Sequence, residues 1–419
     1  MTDLATFTVP MPSVRAADVP IPSVRSAGAP PGAAADFPAY CGDLFGELAR
    51  ADQRRWGEVY VRGLLDVPGR KTPARISEQV LGRRAVQQIQ QFVNQSPWAC
   101  GPVRGRLARQ MARAFRVEAW SVDEVVFTKN GDRSVGVARQ YAASQERTVN
   151  CQLALAASLV GHAGSVPVNW RLVLPARWDA DERLRGQAHL PEEERCRPRW
   201  AYVMEALDEM LDEWTLEPLP VLADWRGESD PDPLLRGLEA RGLGYVVRVA
   251  PHTPVVLPRR PAAVPGCRGT LAELAAHAAR HTERTSVTWH DPVAERMRHS
   301  EFVTAPVLLR CEPAPGRGAG AAPRPRLLLA DWPYGRPRPR GYWLTNLPAR
   351  RLAEIVPLAQ LGRFSEEALG RMHEEFGLGD FEGRSFRGWH HHVTLASAAL
   401  GFDMVRQQAD ERALSETGA

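Results

Sequence analysis

The residues of this sequence best suited to chemistry are carboxylates set on well-separated segments. Asp123 and Glu124 stand side by side in a short apolar run, with Val122, Val125 and Val126 around them and Phe127 at its end. Asp224 follows directly on the apolar stretch Pro220–Ala223, and further acids lie on late segments of helical spacing. Carboxylate oxygens are the ligands that hard cations such as Mg²⁺ and Mn²⁺ prefer. Brought together from separate elements, they can fix two such ions about 3.5–4 Å apart. One ion then activates an attacking water or hydroxyl and the other stabilises the leaving oxygen of a phosphodiester.

The elements between these acids read as follows. Leu44, Leu48, Ala51 and Arg55, then Val80, Ala85, Ile89 and Phe92, have helical spacing. Ser96-Pro97-Trp98 interrupts that pattern, and a basic helix is expected from Pro102 to about Phe115 with Arg104, Arg106, Arg109 and Arg113 spread around it. From Trp120 the texture turns to strands. Lys129-Asn130-Gly131-Asp132 is a hairpin signal, and Cys151–Val160, Val168–Pro175 and Gly244–Ala250 are strand-like. Arg199–Trp214 is helical, as is Leu234–Arg241. Residues 251–345 are rich in Pro, Gly and Arg with short β-like runs, and helical patterns return at Arg351–Leu361, Glu366–Phe376 and about Trp389–Gln407. Acid on a first strand, antiparallel strands, helix, acid after a further strand, insertion, then acid on a late helix is the layout of an RNase H-like nuclease core.

Composition bounds this reading. The chain has 419 residues, 44% hydrophobic and 24% charged, enough for a sizeable core and more than one domain. No apolar run reaches the roughly 18–20 residues of a membrane helix. Residues 1–36 lack the basic-then-apolar layout of a signal peptide, so a cytoplasmic protein is expected. They hold a near-repeat, Val9–Arg15 and Val19–Arg25, whose alternating prolines predict an extended or disordered leader. The six cysteines lie far apart with no CxxC pair, which argues against both a zinc finger and a disulfide framework. All but two of the 53 basic residues are Arg, the exceptions being Lys71 and Lys129. Segments 37–115 and 251–345 are each net +7, flanking a middle segment, 116–250, of net −6, with residues 346–419 net −3. Arginine-rich arms around an acidic centre suit an enzyme that grips a polyanion.

A resemblance sharpens the assignment. Gly383–Leu395, GRSFRGWHHHVTL, resembles the C-terminal signature of bacterial insertion-sequence transposases in the 701-like branch of the DDE group. NQSPW (Asn94–Trp98), SVGVARQY (Ser134–Tyr141), VNCQLAL (Val149–Leu155) and VNWRLVLP (Val168–Pro175) resemble the same family in the same order, from about Arg50 to Leu400. The resemblance implies an α/β fold: an RNase H-like DDE core (116–250 and 346–419), a helical DNA-binding region (37–115) and a β-rich insertion (251–345) between the second and third acids. It also implies Mg²⁺- or Mn²⁺-dependent strand cleavage and transfer, double-stranded transposon ends and target DNA as partners, a homodimer on DNA, and nucleoid association. No small-molecule cofactor is expected.

Carried over residue by residue, the resemblance makes Glu366 the third acid, Asp224 the second, and leaves the first open. Where the family reads Asp-Asp-Thr-Gly, this chain has Asp123-Glu124-Val125-Val126, so either Asp123 or Glu124 is the ligand. The Arg four residues before the third acid is Gly362 here, with Arg363 as a substitute, and the Lys seven residues after it is His373. Arg104, Arg106, Arg109, Arg139, Arg363, His373, Arg384 and Arg387 are the expected DNA contacts. Loss of supporting residues around metal ligands costs affinity or activity, so impaired catalysis, or a derivative that binds DNA without cutting it, stands beside the active transposase. An enzyme acting on something other than nucleic acid is the remote third reading.

Other features invite weaker readings. His390, His391 and His392 are consecutive and on a helix point three ways, which suits DNA contact or core packing better than a metal. Gly316, Gly318 and Gly320 lack the strand and helix that a nucleotide loop requires. Ser134 has the wrong glycine spacing for a nucleophile elbow. Trp289, Trp332 and Trp343 could stack on an unpaired base, though core is the commoner place for a strand Trp.

Overall fold

A computed structural model of the chain describes residues 36–256, 268–291, 296–309 and 326–417. The leader, Asp36 apart, and the glycine run at 316–320 lie outside the described residues.

Among the described residues twelve strands form one mixed sheet. In chain order they are β1 (Ala119–Thr128), β2 (Ala138–Ala142), β3 (Arg147–Gly161), β4 (Gly164–Val173), β5 (Val221–Asp224), β6 (Tyr245–Val249), β7 (Pro254–Val256), β8 (Arg268–Thr270), β9 (Thr285–Asp291), β10 (Arg296–Leu309), β11 (Arg326–Trp332) and β12 (Gly341–Thr345). The core runs β4-β3-β1-β5-β6, with β3 antiparallel to both β4 and β1, and β1, β5 and β6 mutually parallel. Three antiparallel strands followed by two parallel ones is the RNase H-like order expected from the sequence.

The sheet does not stop at β6. β12 pairs antiparallel with β6, and β11 and β10 follow, so the segment after Ala250 lengthens the same sheet. It also holds a helix, Leu271–His281, started by a capping box in which the Thr270 hydroxyl and the Glu273 carboxylate each accept the other's backbone N–H.

The Lys129–Asp132 turn does not close a hairpin. β1 and β2 both pair with β3, one on each side, and Cys151 of β3 stands opposite Thr128 on one side and Ala138 on the other. The long β3 takes the central place, so the turn carries the chain across its end.

The N-terminal helices (Phe37–Leu44, Ala51–Asp66, Pro73–Leu81, Val86–Asn94 and Cys100–Ala114) share one hydrophobic core with the sheet. The long helix Phe386–Thr417 is packed among them. All three of its signature histidines serve this packing. His391 stacks on Trp98 with centroids 3.7 Å apart and faces the carbonyls of Val93 and Trp98. His392 Nδ1 lies 3.0 Å from the Tyr60 hydroxyl, and its Nε2 faces the Gly377 and Leu378 carbonyls. Burial pushes both rings down to about 4. A second core, around Leu222, Val246, Trp289 and the helix Leu352–Gln360, covers the other sheet face. Among the described residues no helix is long and apolar enough to cross a membrane.

Candidate active site

Parallel register puts the first two acids side by side. Val122 of β1 stands opposite Ala223 of β5, so Asp123 and Asp224 follow as neighbours, and Asp224 in turn pairs with Arg248 of β6. Alternation along each strand then brings Ser121, Asp123, Leu222, Asp224, Val246 and Arg248 to one face. All six line an open cavity of about 320 Å³. Its other wall is built by the helix Gly362–Glu374 and by β9–β12. Glu366 enters from the first part of that helix, and Arg363, three residues earlier, enters beside it.

Of the two candidates for the first acid, Asp123 reaches the cavity and Glu124 does not. Adjacent strand residues point to opposite faces, so Glu124 turns away, accepts a hydrogen bond from the Ala143 N–H at 2.9 Å, and is ion-paired with Arg199. The expectation that Glu124 could be the ligand is corrected on that ground. Asp123 accepts the Ser121 hydroxyl at 2.8 Å. Burial, aided by the negative charges of Glu366 and Asp224, raises its carboxyl from 3.8 to about 7.

Asp224 already has a cationic partner. The Arg226 guanidinium holds both its oxygens, Nε at 2.9 Å from each and Nη2 at 2.6 Å from Oδ2. Arg248 Nη1 lies 3.8 Å from the same Oδ2. The donor set of Asp123, Asp224, Glu366 and the Ser121 hydroxyl is all oxygen and partly repulsive, which fits a hard divalent cation. Among the described residues no three such side chains stand close enough together to share one ion as they are placed here.

The far wall holds two more carboxylates that the sequence reading missed. Asp291 is fully buried and pairs with Arg298 at 2.9 Å and with Arg363 at 2.5 Å. Asp331 is buried and ion-paired with Arg340. Both stand in strands that are otherwise largely apolar on their inward side, as in Leu327–Trp332, and an acid inside such a run is the signal that could have found them. Arg248, Arg298, Arg340 and Arg363 thus face the same cavity as the acids.

The other expected contacts scatter. The expectation that Arg104 meets DNA fails on burial: it is 3% exposed and donates to the Thr394 hydroxyl, the Asn169 side chain and the Trp170 carbonyl, while its Nη2 lies 2.9 Å from His390 Nδ1. Arg106 is half-buried and pairs with Asp43 and Glu47. Arg109 reaches the Trp214 carbonyl at 3.5 Å. Arg139, Arg384 and Arg387 are exposed. His373 lies outside the acidic cavity, in a second groove beside Phe127, with Nδ1 3.0 Å from the Leu369 carbonyl. Trp289 and Trp332 are buried, and Trp343 is half-buried in the cavity wall.

Residues 43–306 match the model of the DDE superfamily endonucleases. The chain belongs to that family. Both Asp123 and Asp224 fall within the matched residues of this DDE endonuclease-family protein. It is also similar to the piggyBac transposase in a synaptic complex with hairpin DNA, at 11% identity and a TM-score of 0.40, covering 91% of this chain and 72% of that one. No curated protein matches the chain. Divalent-metal dependence is general in the DDE superfamily.

Proposed function

We propose that this DDE-family protein is the transposase of a bacterial insertion sequence of the 701-like branch. It binds the element's ends in double-stranded DNA as a homodimer in the cytoplasm and cuts and rejoins phosphodiester bonds. One observation carries the reading: Asp123, Asp224 and Glu366, remote in sequence and borne on two strands and a helix, line a single open cavity.

In this reading Asp123, Asp224 and Glu366 hold Mg²⁺ or Mn²⁺. When bound, the ions would lower the pKa of the attacking hydroxyl and stabilise the leaving oxygen. The protein's own groups do the rest. The Ser121 hydroxyl orients the Asp123 carboxylate by donating to Oδ2. Asp123 must lose its proton before it can serve, because its carboxyl sits near 7. Arg248, Arg298, Arg340 and Arg363 offer guanidinium groups suited to the phosphates on either side of the cut. Buried Asp291 and Asp331 keep three of these arginines aimed at the cavity.

A second reading, a derivative that binds DNA without cutting it, is favoured by the clamp of Arg226 on Asp224. Incubating the full chain with duplex DNA from either side of its gene, with and without Mg²⁺, separates the two. Cation-dependent nicks that vanish in Asp224→Asn support the transposase. Binding of that DNA with no cleavage under any cation supports the second reading.

A further inference from the structure

The connection between β11 and β12, residues 333–340, reads Pro-Tyr-Gly-Arg-Pro-Arg-Pro-Arg. Its tip is a tight turn rather than loose chain. The Arg336 N–H donates to the Pro333 carbonyl at 3.1 Å, and Gly335 takes the positive φ of 71° that this closure needs. The base of the loop is tied as well: the Trp332 indole N–H donates to the Arg336 carbonyl at 2.8 Å and the Arg340 N–H to the Asp331 carbonyl at 2.7 Å. Three prolines narrow the loop's alternatives further.

On this fixed turn Tyr334 is 89% exposed, more than any other large hydrophobic side chain among the described residues. Arg336 and Arg338 are exposed beside it, and among the described residues no ion pair engages either. Arg340, at the loop's end, is the arginine that Asp331 holds in the wall of the acidic cavity. An aromatic ring and unpaired guanidiniums leading to a site of this kind match what an unpaired nucleotide strand requires: a face for the base and cations for its phosphates.

We propose that the β11–β12 loop is a guide for single-stranded DNA, with Tyr334 stacking on an unpaired base and Arg336 and Arg338 neutralising phosphates of the strand that Arg340 meets in the cavity. The inference rests on the transposase reading and adds to it the form of DNA that the site accepts.

The test measures affinity of the full chain for two labelled DNAs, a blunt duplex and the same duplex with a short single-stranded overhang, across a salt series. The wild type should prefer the overhang. Tyr334→Ala should weaken overhang binding by about 5- to 150-fold, as expected for loss of one stacked base, while blunt-duplex binding changes by less than about twofold. Tyr334→Phe, which keeps the ring, should behave as wild type. Replacing Arg336 and Arg338 by Gln should reduce the salt slope on the overhang DNA by about 0.7 per arginine. All these residues are exposed, so the variants should unfold at the wild-type temperature. Equal affinity of wild type for the two DNAs, or an unchanged overhang affinity in Tyr334→Ala, overturns the guide. If that happens while cation-dependent cleavage persists, the transposase reading stands alone. If the chain binds neither DNA, both fall.

Discussion

Asp123 and Glu124 are consecutive in β1, yet their carboxylates lie on opposite faces of the sheet. Asp123 accepts from Ser121 on the cavity side, and Glu124 accepts from the Ala143 N–H and pairs with Arg199 on the other. Substitutions at these two positions should therefore part cleanly. Asp123→Asn should abolish cation-dependent cleavage without unfolding the protein. Glu124→Gln should keep cleavage and lose about 1.5–3 kcal/mol of stability, the usual scale for a hydrogen bond to a charged group. Parallel nicking assays and denaturant titrations read both, and loss of cleavage in Glu124→Gln at full stability would return the ligand role to Glu124.

Arg226 stands where a cation bound to Asp224 would have to compete. Arg226→Gln should lower the Mg²⁺ concentration giving half-maximal cleavage by up to about fivefold, since ion pairs this exposed are worth about 0–1 kcal/mol. A Mg²⁺ titration of both proteins decides it, and a higher midpoint in the variant would make Arg226 a helper rather than a competitor.

The raised carboxyl of Asp123 has consequences for pH. Its folded value, about 7, lies above the ordinary 3.8, so the folded state binds the proton more tightly than the unfolded chain does. Without divalent cations, this contribution to stability is complete below about 4 and is lost as pH rises through about 7. Thermal unfolding in chelator between pH 4 and 8 should show this decline in the wild type and a flatter profile in Asp123→Asn. Cation binding should follow the opposite trend, strengthening as pH rises through 7, because the proton must leave first.

Arg104 and the exposed arginines should fail in different ways. Arg104→Ala removes a buried guanidinium that ties the helix Cys100–Ala114 to β4 and to the long C-terminal helix. Several buried acceptors lose their donor, so a loss of about 3 kcal/mol or more is expected at roughly 1–3 kcal/mol for each. Replacing Arg139, Arg384 and Arg387 by Gln should instead leave stability within about 0.5 kcal/mol. If these three neutralise phosphates, the salt dependence of duplex binding should flatten by about 0.9 for each phosphate no longer neutralised. Unfolding curves and a salt series on the same preparations distinguish the two effects.

Much of this arrangement is legible in the residues alone. The helical character of the first segment, the strand texture from Trp120, and Asp224 at the end of a short apolar run all survive in the structure, although the spacings Leu44–Arg55 and Val80–Phe92 each span a break between two helices, at residues 45–50 and 82–85. They do so because helix and strand impose periods of 3.6 and 2 on any chain that buries one side. The same period of 2 requires Asp123 and Glu124 to face opposite ways, whichever face proves to be the cavity. Choosing the face was beyond local sequence. It depends on β5 lying parallel beside β1 in a register that puts Asp224 next to Asp123, and on a helix more than 140 residues further on covering that side with Glu366. Pairing was non-local too: the Asn-Gly turn after β1 looked like a hairpin until β3 took the place between its two strands. Arg104 illustrates the same limit, since four arginines around a helix look solvated until a helix from the far end of the chain packs over one of them. Local chemistry sets which faces a segment has, but only contacts between distant segments, with their own burial and hydrogen-bond demands, decide what each face meets.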